Sequence, residues 1–106
     1  MFSKKKRVTK ELFQAIMKQG RTLPGSLFVF RYMKQDNPAF AFVAPKSVAK
    51  QAVERNRMRR VGYACLRSFP INTSAGIFFY KKGSNKATTL EIKQDIKGIL
   101  EKARIN

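Results

Sequence analysis

Apolar residues recur along this chain with two spacings, and the switches between them mark its elements. Leu12, Phe13, Ile16 and Met17 fall three and four residues apart, the spacing of one helix face. Thr9 can cap that helix, Glu11 suits the positive end of its dipole, and Gly20 stops it, so residues 10–19 are expected to be helical. Residues 21–25 read as a connector with Pro24-Gly25 as a turn signal. From Ser26 to Lys34 the spacing becomes two. Phe28, Phe30 and Tyr32 share one face of a strand, and Leu27, Val29, Arg31 and Met33 the other. After the turn Gln35-Asp36-Asn37-Pro38, residues 39–44 repeat the pattern, with Phe40 and Phe42 opposite Ala39, Ala41 and Val43. The two strands are expected to pair as an antiparallel hairpin. Its Phe-rich face would be core, and the face with smaller residues and Arg31 would stay open.

Pro45 ends the second strand, and Lys46-Ser47 leads into a helix that runs to about Ser68, where Pro70 prevents continuation. Residues 71–75 read as a loop and 76–81 as a buried strand around Ile77-Phe78-Phe79-Tyr80. Residues 81–86 form a basic, flexible loop. Thr88 and Glu91 then make a capping box, and Ile92, Ile96, Ile99, Leu100 and Ala103 line one face of a last helix. Glu91, Lys93, Asp95 and Lys97 fill its outer face, and Gly98 costs it about 1 kcal/mol relative to alanine. The reading is α+β: a single-domain two-layer sandwich over residues 1–106, with helices packed on a small sheet.

Charge changes the picture of the middle helix. The chain carries 23 Lys and Arg against 6 Asp and Glu, a net charge of +17. Such an excess implies a polyanionic partner, nucleic acid before an anionic membrane surface, since no long apolar segment exists to span or anchor. Between Lys46 and Arg67 lie seven basic residues, Lys46, Lys50, Arg55, Arg57, Arg59, Arg60 and Arg67, opposed only by Glu54. On a helix wheel Val53, Met58, Val61, Ala64, Cys65 and Phe69 share one arc. Arg55, Asn56, Arg59, Arg60, Tyr63 and Arg67 share the other, and Arg57 falls on the apolar arc, where it would snorkel to the rim. Like charges so close repel, and a polyanion along the face removes that cost. Arginine suits this because its planar fork meets phosphate oxygens bidentately. A second basic cluster, Lys4, Lys5, Lys6 and Arg7, lies in an arm (residues 1–9) that reads as mobile when free and ordered on RNA.

Catalytic groups are scarce. There is no histidine, and the six acids are scattered without the spacing of a two-metal site. The lone Cys65 excludes an intramolecular disulfide and a zinc set, and no catalytic or metal-ligating residue is assigned. No apolar signal segment follows the basic start, so the chain reads as cytoplasmic.

The string P-K-S-V-A-K-Q-A-V-E-R-N-R-M-R-R, residues 45–60, resembles the signature of the bacterial ribonuclease P protein subunit. In that family a basic loop after a strand leads into a helix carrying A-x-x-R-N-R-x-[K/R]-R. Ala52, Arg55, Asn56, Arg57, Arg59 and Arg60 match it position by position. The resemblance extends from about Lys4 to Arg104, resting outside this helix on element order. It implies one further short strand, giving the order α-β-β-(β)-α-β-α around a small mixed sheet, and a left-handed crossover around the Arg-rich helix. It also implies a protein that assists an RNA subunit, whose bound magnesium hydrolyses precursor tRNA to release the 5′ leader. Lys46, Lys50, Arg55, Asn56, Arg57, Arg59, Arg60 and Arg67 would then dock on the catalytic RNA. Lys46 matches the family's basic loop, and Ser47 stands where a second basic residue is expected. The leader would lie between the first helix and the sheet, against Phe13, Met17 and Arg31. Phe13 matches a family aromatic, whereas Met17 and Arg31 stand where aromatics often occur, Arg31 still offering a guanidinium plane for stacking. Two alternatives stay open on residues alone: a ribosomal-type or other structural RNA-binding protein, and a nucleic-acid enzyme acting without an RNA subunit.

Overall fold

The computed structural model describes residues 8–71 and 74–103. Three helices and four strands follow in the order α1 (Lys10–Gln19), β1 (Arg21–Pro24), β2 (Phe28–Lys34), β3 (Ala39–Val43), α2 (Ala52–Leu66), β4 (Ser74–Tyr80) and α3 (Thr89–Ala103). A single turn of 3-10 helix, Ser84–Lys86, joins β4 to α3. The further strand is β1, in the segment read as a connector. The basic cluster Lys4 to Arg7 lies outside the described residues.

The sheet order is β1-β2-β4-β3, which corrects the expected hairpin. β2 pairs antiparallel with β1 on one side and with β4 on the other, Phe28 opposite Tyr80 and Phe30 opposite Phe78. β3 lies beyond β4 and runs parallel to it, Val43 opposite Phe79. The reason is in the side chains. β4 buries nearly every residue on both faces, so it gains most from a neighbour on each edge. The hairpin the chain does make is β1–β2, and its turn is held from outside. The Asp95 carboxylate on α3 accepts from the Ser26 and Leu27 amides, each at 2.9 Å. Asp95 was expected on an outer face; it is instead the anchor of that turn, and β2 consequently begins at Phe28 rather than Ser26.

Alternation sends the Phe-rich residues to one face of the sheet, as the pattern predicts. Phe28, Phe30, Phe40, Phe42, Phe78 and Tyr80 are buried there beneath α2 and α3. Phe78 is the hub, stacked on Phe30 at 4.3 Å and on Phe42 at 4.7 Å. The other face is only partly open. α1 lies across it, burying Ile16 with Ala39, Ala75 and Ile77. α1 starts as its sequence indicates, Thr9 Oγ1 accepting from the Leu12 amide at 3.2 Å.

α3 opens with the expected box. The Glu91 carboxylate accepts from the Thr88 amide at 2.8 Å, and Thr88 Oγ1 accepts from the Glu91 amide at 3.2 Å. The Thr88 backbone hydrogen bond, with that to the Thr88 side chain, holds the Glu91 carboxyl below its usual range. α2 is tied to the sheet by one buried polar bond, the Tyr80 hydroxyl donating to the Met58 carbonyl at 2.7 Å. Burial pushes the Tyr80 hydroxyl pKa well up, so the proton that makes the bond stays on. Burial likewise raises Cys65, Lys93 pulling it partly back. The thiol sits in the core as a small hydrophobe.

Candidate nucleic-acid interface

The Arg-rich helix is shorter than its sequence suggested and is turned on its axis. It starts at Ala52, not directly after the Lys46-Ser47 lead-in. Residues 46–50 form a compact basic turn instead, the Pro45 carbonyl accepting from Val48 and Ala49 at 2.9 and 3.2 Å. Val48 and Ala49 are buried and anchor the turn, while Lys46 and Lys50 stay exposed. Arg55 explains the late start. Its Nη1 donates to the Ala49 and Lys50 carbonyls at 2.9 and 2.7 Å, so the guanidinium closes the turn onto the first turn of α2.

The buried stripe of α2 is Met58, Gly62, Cys65 and Leu66. Val53 and Ala64, expected inside, are exposed, Val53 at 75%. Tyr63, expected on the basic arc, lies edge-on to Phe42 at 5.0 Å. The wheel drawn from sequence omitted Gly62 and Leu66, the two positions that set the centre of the buried face. With the helix so turned, Asn56, Arg57, Arg60 and Arg67 stand exposed on the outer arc, and Arg55 and Arg59 sit half-buried at its edge. Arg57 is not on the apolar side at all. It makes the only ion pair among the described residues, with Glu54 at 3.4 Å, Arg57 exposed and Glu54 half-buried. Arg59 donates to the Asn56 side-chain oxygen. One surface carboxylate against five guanidinium groups leaves the arc strongly positive, since an exposed pair gains little and shields little.

The predicted cleft residues divide. Phe13 is half-buried on α1 and meets Phe79 of β4 edge-on, ring centres 6.3 Å apart. Beside them β3 contributes the half-buried Ala41 and Val43, so a strip of partly covered apolar side chains lies next to α1 on this face of the sheet. Phe79 is the residue that sequence reasoning missed. The signal was present, because alternation through Ile77-Phe78-Phe79-Tyr80 puts Phe79 opposite the core. Met17 projects one turn from Phe13 and is 42% exposed. Arg31 spends its guanidinium on the end of α1 and on β1. Its Nη2 donates to the Met17 and Gly20 carbonyls at 2.7 and 3.1 Å, and its Nη1 to Thr22 Oγ1 at 2.7 Å.

The family signature therefore has its structural setting: strand, basic turn, then a helix whose outer arc is arginine. A sequence model of the family described as Ribonuclease P matches residues 2–104. The chain belongs to the ribonuclease P protein family. It is 31% identical over 100 residues to the ribonuclease P protein component of an Exiguobacterium species, covering 90% of this chain and 86% of that one. Several solved structures share the fold, among them two RNase P proteins. A Staphylococcus aureus RNase P protein mutant with defective mRNA degradation activity superposes with a TM-score of 0.85 at 22% identity, covering 95% of this chain and 90% of that chain. The Thermotoga maritima RNase P protein gives 0.79 at 19% identity, covering 94% and 97%. Membership in the ribonuclease P family brings RNA binding, tRNA processing and a place in a ribonucleoprotein. No helix among the described residues is long and apolar enough to cross a membrane.

Proposed function

We propose that this chain is the protein subunit that docks on the catalytic RNA of ribonuclease P and holds the 5′ leader of precursor tRNA while the RNA cleaves it. One observation carries the reading: a helix docked on the core by one face offers exposed guanidinium groups on its outer arc, beside a prebuilt basic turn, with a single carboxylate opposing them. Such a surface fits a folded phosphate backbone, and its affinity falls steeply with salt. The apolar strip of Phe13, Phe79, Ala41 and Val43 is of another kind, half-buried, and read as a groove beside α1 it suits a single strand whose unpaired bases can stack.

Hydrolysis is assigned to the RNA. Among the described residues no three His, Cys, Asp or Glu side chains gather closely enough to hold a metal ion. Its residues bind and orient. Magnesium held by the RNA would supply the activation of water that this chain's residues do not.

Reconstitution with a ribonuclease P RNA at limiting magnesium tests the whole reading: precursor tRNA processing should rise sharply when the protein is added, and protein alone should cleave nothing. Cleavage by protein alone would move the chemistry back onto this chain. The groove is tested separately. Phe13→Ala is expected to weaken holoenzyme binding of leader-bearing precursor by about tenfold, the worth of one lost stacking contact, and to leave mature tRNA binding within about twofold. Equal losses for both substrates would rule the groove out as the leader site.

A further inference from the structure

Arg31 has no carboxylate partner among the described residues, yet its guanidinium makes three hydrogen bonds of 3.1 Å or less. The Met17 and Gly20 carbonyls it meets close the carboxyl end of α1, and the Ile16 carbonyl lies 3.4 Å away. Carbonyls at a helix end lack partners within the helix and form the negative pole of its dipole. A cation there is favourable twice over, as donor and as charge. The fourth acceptor, Thr22 Oγ1, belongs to β1 at the position paired with Arg31 in the sheet. Arg31 Nε is buried without a partner, a sign that the side chain is drawn under the helix end at some loss of hydration.

We propose that Arg31 is a positioning residue for the single-strand groove: it pins the carboxyl end of α1 to β2 and so sets the gap between Phe13 and β3, without touching RNA itself. This rests on the leader-groove reading above. Apolar packing holds α1 on the sheet through Ile16, but such contact is non-directional and permits the helix to roll. Hydrogen bonds from a planar fork are directional and do not. Phe13 lies one turn before Met17, so a roll of α1 moves its ring against Phe79 and changes the width of the groove. Lysine keeps the charge, but a single ammonium on a flexible stem lacks the fork that spans two carbonyls and a hydroxyl.

Arg31→Met and Arg31→Lys holoenzymes, reconstituted with the catalytic RNA, test this against the alternative that Arg31 contacts a leader phosphate. Affinity for precursor and mature tRNA is measured across a range of salt. The proposal expects both variants to lose about tenfold in leader-dependent affinity, to keep the wild-type salt slope, and to bind mature tRNA as before. A phosphate contact instead predicts that lysine rescues and that methionine lowers the slope by about 0.7. Either of those results overturns the proposal, as does unchanged leader-dependent affinity in Arg31→Met. Thr22→Val, which removes one of the bonds at an exposed position, serves if the Arg31 variants melt early. It should show a smaller loss in the same direction, and no loss overturns the proposal. Phe13→Ala run alongside separates the two readings. If it weakens leader binding and Arg31→Met does not, only the role of Arg31 fails; if neither does, the groove itself is wrong.

Discussion

Replacing Arg60 and Arg67 together by alanine is expected to lower affinity for the catalytic RNA by about 1.5 decades at 0.1 M salt, and to flatten the salt dependence by about 1.5 units. Both side chains stand exposed on the outer arc of α2 and neither has a carboxylate to neutralise it. Each is therefore available to displace a counterion from a phosphate, and the slope counts such displacements. Arg55→Ala makes the informative contrast, although the two positions look alike in the signature. Its guanidinium is already bound to the Ala49 and Lys50 carbonyls, so its removal should leave the slope unchanged. Affinity should still fall, by about fivefold at every salt concentration, because the turn that presents Lys46 and Lys50 loses an anchor worth about one hydrogen bond. Titrations of labelled RNA at four salt concentrations decide the matter. A full unit of slope lost in Arg55→Ala would mean that Arg55 leaves its carbonyls for phosphate; no change in Arg60→Ala, Arg67→Ala would show that the outer arc of α2 does not face RNA.

That contrast marks where sequence reading ran out. Most elements were legible because each is locally determined: the capping box at Thr88 and Glu91, the apolar stripe of α1, the alternation of Phe28 and Phe30; β1, only four residues long, was not and read as a connector. Strand partners were not, because pairing depends on which strand is apolar on both faces, a comparison across the whole chain. β2 and β3 look like a hairpin until β4 is recognised as the strand that needs two neighbours. The site showed the same division. Which residues are basic is plain from the letters, and the motif names the helix that carries most of them. Which guanidinium groups remain available is decided by backbone carbonyls, and those of Ala49, Lys50, Met17 and Gly20 came to lie beside Arg55 and Arg31 only through the fold. The sequence pattern also has no way to weigh a glycine. Gly98 reads as a small flaw in its helix and Gly62 stands inside another, and in their surroundings the two are opposites.

Gly62→Ala is expected to destabilise the fold by roughly 2 kcal/mol, whereas Gly98→Ala should stabilise it by up to about 1 kcal/mol. Helix propensity alone favours alanine by about 1 kcal/mol at both positions, so the surroundings must decide. A methyl group on Gly98 would meet nothing within 4 Å. On Gly62 it would come within 2.5, 2.7 and 2.9 Å of three carbons of the Phe42 ring, closer than carbon atoms approach. Phe42 has no room to yield. It is stacked on Phe78 at 4.7 Å and held edge-on by Phe28 at 5.8 Å and Tyr63 at 5.0 Å. Overpacking of this sort costs about 1–3 kcal/mol and outweighs the propensity gain. For a domain of this size the melting temperature should fall by about 10 °C in Gly62→Ala and rise by a few degrees in Gly98→Ala. Phe42→Leu supplies the control. It opens space at the point of conflict, so in the double variant the two costs should sum to less than their separate values by about 1 kcal/mol. Strict additivity would place the conflict elsewhere. Because the outer arc of α2 is untouched, Gly62→Ala should keep the wild-type salt slope for RNA at temperatures where it remains folded. A slope that changed with it would mean that the packing of α2 on Phe42, and not its arginines alone, sets how the helix meets phosphate.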